Sequence, residues 1–184
     1  MKRRGWPSQV PLACLLPGSV LAGLLLLSAC TTMGKVADVV MDPDIQVGSN
    51  ADQPSTLGVT LLAEPDVNPN GSGEASPIEL QLLWLAEDSK LLASDYDQLA
   101  AGPKEALGKN YIDHQEFTLL PGQYKYIPPA KLDEQTRYIG VIAHYADPDR
   151  AQWRKVIKVK STGEAYQLLI HLRQNEVQLQ KEEE

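Results

Sequence analysis

Cys30 ends the run Leu27-Ser28-Ala29-Cys30, in which small residues lead directly into a thiol after an apolar stretch. Small residues let a peptidase approach the backbone, and the thiol beside the cut can take a lipid. Ahead of it lie a basic start of Lys2, Arg3 and Arg4 and the apolar Leu24-Leu25-Leu26-Leu27. Together these form a lipoprotein export signal over residues 1–29, with diacylglycerol and an N-acyl chain expected on Cys30. Buried acyl chains contribute about 0.8 kcal/mol per CH₂, and two or more chains anchor stably where one is marginal. The alternative is an uncleaved span of roughly 20 apolar residues. Pro11, Pro17, Gly18 and Gly23 interrupt it. Thr31, not Asp, follows the cysteine, so the expected address is the outer membrane, on its periplasmic face.

Other reactive groups are sparse. His114, His144 and His171 lack the close paired spacing of common zinc sites. Cys14 leaves with the signal and Cys30 is consumed by lipid, so neither a disulfide nor a cysteine nucleophile is expected. There is no Gly-x-Ser-x-Gly elbow, and no helix follows Gly71-Ser72-Gly73 to complete a phosphate cradle. Asp66, Asp113, Glu116, Asp147 and Asp149 read as solvating acids. The expectation is a protein without catalysis, metal or cofactor other than the covalent lipid.

The segment Glu64, Pro65, Asp66, Val67, Asn68, Pro69, Asn70, Gly71, Ser72, Gly73, Glu74, Ala75, Ser76 is different in kind. It far exceeds the two to five residues a hairpin needs. Its prolines restrain the backbone, so less freedom is lost when a partner binds. It is expected to add little apolar burial and to present Val67 and nearby backbone groups outward.

The elements that must position this loop read as short strands of period two separated by turn residues. Strands are expected at 56–62, 78–85, 111–120, 123–127, 138–145, 153–160 and 166–172, with a last one around Val177 and Leu179. In the second strand Ile78, Leu80, Leu82 and Trp84 share a face. In the seventh Tyr166, Leu168, Ile170 and Leu172 point inward and His171 outward. Ser94 reads as the N-cap of a helix carrying Tyr96, Leu99 and Ala100 until Gly102-Pro103 stops it. This insert, at about 89–106, is expected to cover a sheet edge, to offer a docking surface, or merely to cap the core. Fold class is therefore all-β, a two-sheet antiparallel sandwich of about eight strands with a small helical insertion between strands 2 and 3. Residues 30–55 read as lipidated cysteine and tether, in which 41–47 could pack as an extended strip, and 56–184 as the domain. Lys181 to Glu184 reads as a solvated tail. Arg150 and Arg154 read as partners of nearby acids, and Trp153 as a core or edge aromatic.

The 184 residues less the 29 of the signal leave 155, enough for one domain with a real core. They keep 14 basic against 24 acidic residues, a formal charge of −10. That acidity argues against nucleic acid and anionic lipid as partners.

Leu62-Ala63-Glu64-Pro65-Asp66-Val67-Asn68-Pro69-Asn70, Ser76-Pro77-Ile78, Tyr138-Ile139-Gly140-Val141-Ile142-Ala143-His144-Tyr145 and Asp149-Arg150-Ala151-Gln152-Trp153-Arg154 resemble the TssJ family of type VI secretion lipoproteins. The Ser94-Asp95-Tyr96 helix and the Leu120-Pro121-Gly122 turn fall in the family's order, and the likeness covers about Leu57 to Leu179. It implies a transthyretin-like sandwich with a helical addition. It also implies an outer-membrane component whose loop between the first two strands, here Glu64 to Ser76, binds the periplasmic domain of the inner-membrane protein TssM. The rival readings are a lipoprotein that binds a small hydrophobic ligand or another envelope-assembly partner, and a periplasmic envelope enzyme.

Overall fold

A computed structural model describes residues 50–183. The export signal, Cys30 and the strip at 41–47 lie outside them. Eight strands form two four-stranded sheets: β1 (Thr56–Ala63), β2 (Ile78–Leu85), β3 (Tyr111–Leu119), β4 (Tyr124–Lys131), β5 (Tyr138–His144), β6 (Arg154–Lys158), β7 (Ala165–Leu172) and β8 (Val177–Glu183). One sheet has the order β4-β1-β7-β8 and the other β3-β2-β5-β6.

Alternation does what period two demands. Leu57, Val59, Leu61 and Ala63 of β1 and Tyr166, Leu168, Ile170 and Leu172 of β7 are buried against Ile78, Leu80 and Leu82 of β2 and Ile139, Val141 and Ala143 of β5. Trp84 packs on this core half-buried.

Four expectations about the strands and the insert's place are corrected. First, β1 and β7 run parallel, with Ala63 beside Leu172. A hundred residues separate them in sequence, so no hairpin dictates antiparallel pairing. Second, β4 runs on through Pro128 and Pro129 to Lys131. It is an edge strand, where a missing N–H is tolerated. A register shift between Leu57 and Val59, opposite Ala130 and Ile127, absorbs the irregularity. Third, residues 181–183 are strand: Glu183 pairs with Tyr166 and Lys181 with Leu168. Fourth, the insert covers no sheet edge; of its readings, capping of the core holds, on a sheet face.

That insert is three short helices, α1 (Ser89–Ala93), α2 (Tyr96–Ala101) and α3 (Pro103–Leu107). Asp95, not Ser94, caps α2, its side chain accepting from the Gln98 N–H at 2.9 Å. Pro103 does not stop the helical path but starts α3, at the first-turn position where its missing N–H costs nothing. Leu91, Leu99 and Leu107 bury themselves on Leu83, Leu85 and Ile142, the outward residues of β2 and β5, and make a second core. Gly140 allows this close approach: a Cβ there would sit 2.7 Å from Leu91 Cδ2. Arg154 donates to the Leu91 and Ser94 carbonyls and lies over the Trp153 ring, 4.7 Å from its centroid. It holds the end of α1 and is not the partner of an acid, whereas Arg150 does reach Asp147 at 3.8 Å.

Residues 50–55 pack on the domain. Ser55 is fully buried, its N–H donating to Ser161 O and its hydroxyl accepting from Glu164 N.

Candidate functional site

The loop that joins β1 to β2 changes sheets, and it is built in two parts. The inner part is structural. Val67 is fully buried in the main core, which overturns its expected outward display. A Val side chain gives about 1.5 to 3 kcal/mol when buried, so it goes inside wherever the chain lets it. Asn68 follows with a φ of 50°, the left-handed region that Asn tolerates better than most residues. Its amide Nδ2 donates to Pro77 O at 2.7 Å, and its Oδ1 accepts from Ala146 N at 2.7 Å. Its backbone N–H donates to Gln174 O at 3.2 Å, and its carbonyl accepts from the Ser76 hydroxyl. One residue thus joins the β1–β2 loop to the β5–β6 and β7–β8 connections.

The outer part is a miniature hairpin. Pro69 and Ala75 form an antiparallel bridge. Inside it Asn70 N donates to Glu74 O and Gly73 N to Asn70 O, both at 2.8 Å. Asn70 Oδ1 accepts from Ser72 N at 2.8 Å and Glu74 N at 3.1 Å, an Asx arrangement that fixes the turn. Gly73 supplies the positive φ of 79°. Asn70, Gly71, Ser72, Gly73, Glu74 and Ala75 are exposed, as are Pro65 and Asp66. The tip is therefore fixed and bare.

At the root, the Glu64 carboxylate lies 3.0 Å from His171 Nε2 and 3.4 Å from Arg173 Nε. The Glu64 backbone carbonyl accepts from Gly122 N and Val67 N, each at 3.2 Å. His171 faces outward, as its place in the strand predicts, and is half-covered by Glu64.

Because β1 and β7 run in the same direction, the β7–β8 turn lies beside the loop. Arg173, Gln174, Asn175 and Glu176 with Arg150 and Gln152 line a hollow of about 370 Å³ next to Glu64 and Asp66. The strand pattern in the sequence does not bring these residues to the loop. The signal was strand direction, which alternation along a single strand does not carry. Here the Glu176 carboxyl is held below its ordinary range by hydrogen bonds from Gln178 and Lys155. Tyr145 is buried, which pushes its phenol well above the ordinary 10.0. The hydroxyl donates to Arg173 O at 3.0 Å and fixes the base of the turn.

The remaining histidines stand elsewhere. His114 Nδ1 bonds with the Tyr111 hydroxyl at 2.6 Å, and His144 Nδ1 with the Tyr96 hydroxyl at 3.0 Å. Among the described residues no group of three His, Cys, Asp or Glu side chains could hold a metal ion. The site can offer adhesion: a fixed tip, flanked by a hollow that carries both signs of charge.

Residues 55–175 match the model of the family described as type VI secretion lipoprotein, VasD, EvfM, TssJ, VC_A0113. The crystal structure of the T6SS lipoprotein TssJ1 from Pseudomonas aeruginosa superposes with a TM-score of 0.66 at 34% identity, covering 70% of this chain and 97% of that one. Serratia marcescens Lip, a membrane-bound component of the type VI secretion system, superposes with a TM-score of 0.63 at 26% identity, covering 70% and 98%. A chain in a structure described as the T6SS protein TssM C-terminal domain from EAEC gives 0.58 at 21% identity, covering 68% and 97%, and supports the fold alone. A search of curated proteins found no match. With the matched family spanning the sandwich from Ser55 to Asn175, the chain belongs to the type VI secretion lipoproteins of the TssJ family.

Proposed function

We propose that this lipoprotein is an outer-membrane anchor of the secretion apparatus: acyl chains on Cys30 hold it to the periplasmic face, and the β1–β2 loop holds the periplasmic domain of the inner-membrane TssM-like protein. The role is mechanical and involves no catalysis. The observation that carries the reading is the exposed tip from Asn70 to Ala75, internally hydrogen-bonded and rooted in the core through Val67 and Asn68. A loop ordered before it meets its partner loses little conformational freedom on binding. Resistance to pulling also requires that the loop not peel from the domain, and Asn68 ties its base to two other connections.

Co-purification tests the reading. The full-length lipoprotein, solubilised from membranes in detergent, should retain the periplasmic domain of its cognate TssM-like protein on an affinity matrix. Replacing Asn70 to Glu74 with a Gly-Ser turn should release it. Retention by the tip variant moves the docking surface elsewhere.

A further inference from the structure

A second surface lies on the outward face of the β3-β2-β5-β6 sheet, beyond the helical insert. Strand register sets Glu79 opposite Thr118 on one side and His144 on the other, and Gln81 opposite Glu116. These side chains line a groove of about 180 Å³. Two carboxylates face it, and no Lys or Arg is among its lining residues. Glu116 has His114 Nε2 beside it at 3.4 Å and still exposes 67% of its side chain.

Gln81 is the telling group. It is only 8% exposed, and its Nε2 donates to Glu116 Oε1 at 3.1 Å. Its own Oε1 is buried with no hydrogen-bond partner. A buried acceptor without a donor destabilises the fold unless something supplies one. His144 adds no positive charge in compensation, because burial lowers its pKa from the ordinary 6.5 against the pull of Glu79 and Glu116. The groove thus holds acceptors and negative charge in excess. A metal ion does not fit, since no three ligating side chains among the described residues could hold one.

We propose that this groove docks an arginine side chain displayed by a protein partner. A guanidinium carries five N–H donors in one plane and can serve two carboxylates and an amide oxygen together, which an ammonium does less well. Charge complementarity selects the cation, and the volume matches a single side chain. The groove begins at Glu79, one residue past the point where the β1–β2 loop returns to the sheet at Ile78, so a partner seated on the loop end is within reach of it. Its acceptor chemistry stands whether or not the loop reading holds.

The test uses isotope-labelled full-length lipoprotein in detergent micelles and follows the side-chain amide resonance of Gln81. Acetyl-Gly-Arg-Gly-amide is titrated against the same peptide with citrulline, a neutral near-isostere of arginine. The arginine peptide should give a saturable shift at Gln81 and the citrulline peptide none. The E79Q/E116Q variant should bind about tenfold more weakly, with its remaining spectrum unchanged. Salt at about 0.5 M should weaken the wild-type response. Equal shifts from both peptides, no saturable shift at Gln81, or full binding by the double variant would overturn the assignment. The comparison of peptides on the wild-type protein stands even if the variant folds poorly.

Discussion

Asn68 sits at a φ of 50° with one end of its amide bonded to the Pro77 carbonyl across the loop and the other to the Ala146 N–H of the β5–β6 connection. Asn68→Ala should cost about 1 to 3 kcal/mol, since it removes the bonds to the Pro77 carbonyl and the Ala146 N–H and forces Ala into a left-handed conformation. Ser72→Ala, at the bare tip, should stay within about 0.5 kcal/mol. Urea unfolding of the two variants measures the contrast, and equal midpoints contradict the division of the loop into root and tip. His144 supplies a pH signature. Burial lowers its folded pKa below the ordinary 6.5, so the unfolded chain binds the proton more readily. Its contribution is constant above pH 7.5 or so and declines as pH falls through about 6.5. His144→Gln should flatten that part of the stability curve. Neither residue was legible in advance, because Asn in a Pro- and Gly-rich run reads equally as turn or anchor, and a lone strand histidine says nothing about what covers it.

At the scale of elements, alternation was the readable signal. The inward faces of β2 and β7 follow from Ile78, Leu80 and Leu82 and from Tyr166, Leu168, Ile170 and Leu172 alone. The parallel pairing of β1 with β7 did not follow, since pairing between distant strands depends on the whole topology. The insert was legible as helical, with capping of the core among its readings, but the residues it covers, Leu83, Leu85 and Ile142, were not. Those apolar residues alternate with the main-core residues and make β2 hydrophobic on both faces, a pattern that marks a covered strand. Gly140→Ala drives a methyl into Leu91 and should cost about 1 to 3 kcal/mol. Arg154→Ala frees the carbonyls that end α1 and should speed hydrogen exchange across α1 and α2 before any change in the β1–β7 pair. Uniform loss of protection through both sheets contradicts a separately held insert. Replacement of the whole stretch from Asp66 to Gly73, harmless if the loop added as little apolar burial as its sequence suggests, should be destabilising because it removes Val67 and Asn68 from the interior.

For the whole molecule, the described sandwich supplies a rigid body with the loop at one end, and Cys30, the proposed lipid site, lies in the sequence ahead of it. Cys30→Ser should leave the signal uncleaved, remove the protein from the outer membrane and stop secretion, while circular dichroism of the purified variant still shows the β fold. Outer-membrane fractionation with secretion intact contradicts the anchor. The central claim, that the tip of the β1–β2 loop grips the TssM-like partner, is met most directly by calorimetric titration of that partner's periplasmic domain into the detergent-solubilised lipoprotein, with and without a Gly-Ser turn in place of Asn70 to Glu74. Since the root is left intact, the urea midpoint should hold within about 0.5 kcal/mol while affinity falls a hundredfold or more, a loss of about 2.7 kcal/mol or greater at the interface. An unchanged affinity at an unchanged midpoint would contradict the account.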